Sequence, residues 1–148
     1  MVNYQIKEVG ESSFEIEWLG KRPKLNMTNL QKMYEGMEFV STCGKSKQCE
    51  QFGKDLKKAL QNDLGTEYNV EISIGHFYIS GFVSKNDKYV YFNVEDLRDN
   101  GEEFSHILYR TAKNNKDYSG GTNRFCKLNK LAENIISLIK KEEENGWF

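Results

Sequence analysis

The chain has one proline, three cysteines and two histidines in 148 residues, and each scarcity excludes something. Cys43, Cys49 and Cys126 form an odd set with C-x5-C spacing and then a long gap, which is neither a disulfide framework nor a zinc ribbon, so a reduced compartment is expected. His76 and His106 fall in strand-like segments with no partner at C-x2-C or H-x3-H spacing. They also leave little for nucleophilic catalysis, which needs Cys or Ser beside a histidine. Neither a metal nor a cofactor is expected. Long apolar runs are missing too: Ile135-Ile136 is typical and falls far short of the ~20 residues that span a bilayer. The opening Met1-Val2-Asn3-Tyr4 lacks a basic-then-apolar signal pattern, which predicts a cytoplasmic protein without membrane attachment. No charge sign dominates, since 21 Lys and Arg against 22 Asp and Glu give a net charge of −1. That balance excludes a uniformly basic nucleic-acid coat and an acidic solvating tail.

What is present is patterned apolar sequence, sufficient for one domain over 1–148. Residues 4–9 and 13–19 alternate apolar with polar around Gly10-Glu11-Ser12, which predicts an antiparallel hairpin. Residues 29–37 read as a short helix ended by Gly36. From Gln48, the positions Phe52, Leu56, Ala59, Leu60 and Leu64 recur at helical steps, with Lys54, Lys57 and Lys58 on the opposite face and Gly65 as the stop. Strands follow at 70–74, 77–83 and 89–94, with a turn at Asn86-Asp87 and a bulge or bend expected at Gly75 and Gly81. Residues 105–111 read as another strand and 113–124 as a loop. The last helix carries Leu128, Leu131, Ile135, Leu138 and Ile139 on one stripe, with Asn129 as its N-cap and Lys140-Lys141 near its C-terminal end. This order predicts an α+β fold: an antiparallel sheet of about five strands with two main helices packed on one face.

Charge is distributed unevenly. Residues 105–130 carry Arg110, Lys113, Lys116, Arg124, Lys127 and Lys130 against Asp117 alone, a net of +5, whereas 66–104 carry eight acids against Lys85, Lys88 and Arg98, a net of −5. Such a division either draws an anionic partner to one side or is neutralised by cross-strand pairing. Within the basic segment, residues 110–125 form the candidate contact: Arg110, Lys113, Lys116, Asp117, Tyr118, Gly120, Gly121, Asn123 and Arg124. Paired glycines permit close backbone approach, the cations can meet phosphate or carboxylate, and Tyr118 or Phe125 can stack on a base. The same residues also suit an ordinary turn, with Asp117 capping its own backbone and Tyr118 packed on the sheet.

Other motifs fail. Gly44-Lys45-Ser46 resembles the end of a phosphate-binding loop, but Phe39 stands where the leading glycine is needed. Glu95, Asp96 and Asp99 have a spacing too general to imply a metal. Trp147 and Phe148, after an acidic run, either pack on the core or anchor a partner.

The segment Ile107-Leu108-Tyr109-Arg110-Thr111-Ala112-Lys113, continued by Lys116-Asp117-Tyr118-Ser119-Gly120-Gly121-Thr122-Asn123, resembles a motif of small accessory proteins of bacteriophages and mobile elements. The resemblance covers 15 of the 148 residues and brings no catalytic residues with it. It implies an anti-defence role in a bacterial cytoplasm, of the kind that inhibitors of CRISPR effectors perform by binding. The expected function is therefore non-enzymatic binding to a host protein or protein–nucleic-acid complex, or to nucleic acid directly. The alternatives are a small enzyme acting on a phosphate-containing substrate with Asp117 or His106 as acid or base, and a homo-oligomeric structural component held by a strand edge or by Trp147 and Phe148.

Overall fold

Alternation near the N-terminus produces the expected hairpin: β1 (Tyr4–Glu8) pairs antiparallel with β2 (Phe14–Trp18), Ile6 opposite Ile16. The structure, a computed structural model, describes residues 4–8, 14–21, 24–33, 47–74, 78–95 and 107–145. The hairpin is a two-stranded sheet of its own. The first helix, α1 (Met27–Met33), starts two residues earlier than its sequence suggested. Asn26 sets the start, because its Oδ1 accepts the Asn29 N–H at 2.8 Å and satisfies a donor that the first helical turn leaves without a partner. The expected stop at Gly36 lies outside the described residues.

α2 (Lys47–Leu64) buries Phe52, Leu56, Ala59, Leu60 and Leu64, the positions its periodicity marks. Gly65, at φ +99°, ends it and donates its N–H to the Gln61 carbonyl at 2.9 Å. Gln61 Nε2 in turn donates to the carbonyls of Gly65 and Tyr68, at 2.8 and 2.7 Å, tying the end of α2 to the strand that follows.

Five antiparallel strands form the main sheet in sequence order: β3 (Asn69–Ile74), β4 (Tyr78–Lys85), β5 (Lys88–Glu95), β6 (Ile107–Ala112) and β7 (Arg124–Cys126). Asn86 takes φ 57° in the β4–β5 turn. Gly81 makes no bulge. It stands in unbroken register between Ile72 and Phe92, where a Cβ would run into the Glu71 carbonyl oxygen and come within 2.7 Å of the Phe92 ring. Close approach, not bending, explains that glycine, while Gly75 lies outside the described residues.

β7 opens at Arg124, the last residue assigned to the loop, and a 3-10 turn (Leu128–Lys130) leads into α3 (Leu131–Asn145). Asn129 is not an N-cap. It lies inside the 3-10 turn, which begins after an extended Lys127 that makes no side-chain cap. One sheet face, carrying Val70, Ile79, Val83, Val90, Phe92 and Ile107, shares a continuous apolar cluster with all three helices. Each large side chain buried there contributes about 1.5–3 kcal/mol. Tyr109 Oη donates to Asn134 Oδ1 at 3.1 Å, pinning β6 to α3. On the other face Phe82, Tyr91 and Ala112 form a smaller cluster. Among the described residues no helix is long and apolar enough to cross a membrane.

Candidate functional site

Cross-strand register builds the site. Glu71 on β3 stands opposite Phe82 on β4, Phe82 opposite Tyr91 on β5, and Tyr91 opposite Arg110 on β6, so these four side chains form one row across the sheet's second face. The connection from β6 to β7 folds back along that row. Arg110 stands 4.5 Å from the centroid of the Tyr91 ring. Tyr118 meets Phe82 and Tyr91 edge-on, with centroids 5.4 and 5.8 Å apart. Asn115 Nδ2 donates to Glu71 Oε2 at 3.2 Å, at the far edge of the sheet.

The loop is held from inside. Arg110 is 3% exposed and donates through Nη1 to the Thr111 carbonyl at 3.1 Å and through Nη2 to the Asp117 carbonyl at 2.9 Å. The Asp117 carboxylate accepts three backbone N–H groups, from Lys113 at 2.9 Å, Ser119 at 3.2 Å and Gly120 at 2.9 Å. A Cβ at Gly120 would run into that carboxylate, and one at Gly121, where φ is +73°, would meet the Thr111 carbonyl oxygen. Chain reversal at this point therefore requires Gly121, and a side chain at Gly120 would have to displace the Asp117 carboxylate that caps the loop.

The nine residues singled out by sequence thus divide. Arg110 is buried beneath the loop, while half-buried Asp117 and Gly120 and exposed Gly121 shape its backbone. Lys113, Lys116 and Asn123 are exposed, and Tyr118 is 61% exposed despite its ring contacts. Arg124 is half-buried and donates to the Thr122 carbonyl at 3.1 Å. Phe125, 60% exposed, pairs with Leu108, two residues from Arg110 on β6, and so lies on the same sheet face as Arg110. Of the two readings of this segment on sequence alone, the turn with Asp117 capping its own backbone is present, and Lys113, Lys116, Tyr118 and Asn123 are exposed beside it.

The electrostatics favour a fixed carboxylate at Asp117. Its carboxyl is held below the ordinary range, first by the Lys113 N–H, with Ser119, Gly120 and the Arg110 charge adding to this against a partial loss of solvent. A group so held is ionised near neutrality, which does not suit it to act as a general acid there, and its oxygens are engaged by backbone donors. Burial, reinforced by the nearby Glu133, pushes the Cys126 thiol up to about 12. The Tyr109 hydroxyl is also raised, chiefly by burial.

His76, His106, Cys43, the Gly44-Lys45-Ser46 stretch, Asp96, Asp99, Trp147 and Phe148 lie outside the described residues. Among the described residues no group of three or more His, Cys, Asp or Glu stands together as a metal site. Glu71 accepts from the neutral Asn115 amide, so this cross-strand contact is not the expected pairing of opposite charges. Sequence reasoning missed the Phe82–Tyr91 platform. Its signal was the run Tyr89-Val90-Tyr91-Phe92, apolar on both parities, which marks a strand covered on both faces. Comparison of the chain with protein-family models, with curated proteins and with solved structures finds no match.

Proposed function

We propose that this is a non-enzymatic binding protein that presents Lys113, Lys116, Tyr118 and Phe125 to an anionic partner, either nucleic acid or a host protein that handles it. The observation that carries this reading is the pair of aromatics, 61% and 60% exposed on the same sheet face, beside exposed lysines on an internally braced loop. Bracing matters because a loop already ordered does not lose about 0.5–1.5 kcal/mol per side chain on association. An exposed ring can stack on a base for about 1–3 kcal/mol, and the lysines supply attraction to phosphate.

The resemblance to accessory proteins of phages and mobile elements supports an anti-defence role in a bacterial cytoplasm. Its motif residues Arg110, Asp117, Tyr118, Gly120 and Gly121 are the ones that shape this loop. An enzyme of phosphate chemistry is the weaker reading, because the Asp117 carboxylate is occupied by three backbone donors. The test is affinity capture from host lysate, with and without nuclease, comparing wild type with Lys113→Gln/Lys116→Gln/Tyr118→Ala. Loss of the captured partner in the variant is expected. Equal capture by both proteins would remove the proposal.

A further inference from the structure

A second surface lies in the helical layer, whose apolar side chains join the first sheet face rather than the face the loop covers. Between Leu25 and the outer side of α2 runs an open cleft of about 620 Å³, lined by Lys54, Lys57, Lys58, Gln61 and Asn62 among others. No acidic residue lines it among the described residues. Lys54, Lys57, Lys58 and Asn62 are all exposed. The Gln61 amide is already committed to the Gly65 and Tyr68 carbonyls. Three acids flank it in sequence: Asp55, 1% exposed, accepts from Gln51 at 3.1 Å, Asp63 is exposed beside Asn62, and Glu50 stands half-buried four residues before Lys54. Lys54 and Lys58 stand at i and i+4, Lys54 and Lys57 at i and i+3, arrangements in which like charges repel and weaken the helix.

We infer that this cleft binds the sugar–phosphate backbone of single-stranded nucleic acid, at a site separate from the 113–125 surface and not dependent on it. The three cations are lysines, which meet phosphate as flexible point charges. Two features favour a phosphate backbone over other anions. Lys54 and Lys58 lie one turn apart, about 6 Å along the axis, so their long stems can follow a linear array of charges. Leu25 gives the cleft an apolar side for sugar or base, which a chain of isolated phosphates would leave unused. An open trough on one helix admits a single strand more readily than a duplex, whose backbones are held apart.

The experiment is fluorescence anisotropy of a labelled oligothymidylate with the full chain across a salt series. It compares wild type, Lys54→Gln/Lys57→Gln/Lys58→Gln, Lys113→Gln/Lys116→Gln and the two sets combined. Glutamine has a helix propensity close to that of lysine, so α2 is retained, and circular dichroism confirms it. The triple α2 variant is expected to bind at least about tenfold more weakly, with the slope of log affinity against log salt shallower by about 2, as loss of three single-strand phosphate contacts requires. The loop variant retains that α2-dependent difference, so failure here is distinguishable from failure of the loop as a partner surface. Unchanged affinity and slope in the folded α2 variant would overturn the inference. So would tighter binding to a duplex of the same length, or displacement of the oligonucleotide by polyglutamate at equal charge concentration.

Discussion

Arg110 Nη2 donates to the Asp117 carbonyl at 2.9 Å while the same guanidinium lies over the Tyr91 ring, so one buried side chain joins the loop to the sheet beneath it. Removing it strands an acceptor and forfeits a desolvated cation–π contact. Arg110→Ala is expected to lower stability by about 2–4 kcal/mol. Arg110→Lys should recover less than half of that, since an ammonium cannot reach the Thr111 and Asp117 carbonyls as a rigid fork. Urea unfolding measures both, and a loss below about 0.5 kcal/mol in the alanine variant, within the range of ordinary surface changes, would show that the contact is not structural.

Asp117 carries a pH prediction of definite sign. Its folded carboxyl titrates below the ordinary value, so it stabilises the fold above the unfolded value of about 4, and that contribution is lost as pH falls through the lower, folded value. The stability difference between wild type and Asp117→Asn should therefore be constant from about pH 7 to about pH 5 and shrink below about pH 4. Chemical unfolding at each pH tests this. A difference that instead widens on acidification would mean the carboxyl is raised, not lowered.

Two glycines with positive φ should respond unequally to alanine. At Gly65 (φ +99°) an added Cβ meets open space, so the substitution costs about 1–2 kcal/mol of backbone strain alone. At Gly121 (φ +73°) the Cβ also meets the Thr111 carbonyl and comes within 2.7 Å of its hydroxyl, and the loop must move away from Phe82 and Tyr91. Gly121→Ala should be the more destabilising by about 1 kcal/mol or more, and should alter the near-ultraviolet dichroism of the tyrosines, whereas Gly65→Ala should not.

Periodic segments were legible because their own pattern decides them. α2 follows from five apolar positions and a stop at Gly65, and β3 from Val70, Ile72 and Ile74. β7 was not legible, since Arg124-Phe125-Cys126 is too short to alternate and becomes a strand only by pairing with β6. Asn129 looked like a cap because the apolar stripe begins at Leu128, yet the chain enters α3 through a tighter turn. Arg110 was read as outward for a similar reason. A charged residue in an apolar strand belongs on a wet face, unless a following loop folds back over that face, and here residues 113–123 do so. Local pattern reports which face a side chain takes, not what arrives later to cover it.

Cys126 should be chemically quiet. With its thiol pushed up to about 12, the thiolate fraction near pH 8 falls on the order of a thousandfold below that of a free cysteine, and reaction with disulfide reagents slows by a smaller factor, since a more basic thiolate is more nucleophilic. A Cys43→Ser/Cys49→Ser protein isolates the measurement. Its remaining thiol should react slowly when folded and at the free-cysteine rate in denaturant. Equal rates in both conditions would show that the burial is not maintained.

Tyr118 separates presentation from support. Its ring contributes edge contacts to Phe82 and Tyr91, yet 61% of it faces solvent, so Tyr118→Ala should lower stability by only about 1–2 kcal/mol. If the ring is a binding anchor, the same change should weaken partner association by about 2 kcal/mol or more, the range of a hot spot. Arg110→Lys should show the reverse balance, with stability falling further than binding in a fully folded sample, because its side chain is buried beneath the loop. Measuring unfolding and partner affinity on both variants distinguishes the two roles. Were Tyr118→Ala to bind as well as wild type at equal folded concentration, the exposed aromatic would be packing surface alone, and contact would have to be sought at Phe125 and the two lysines.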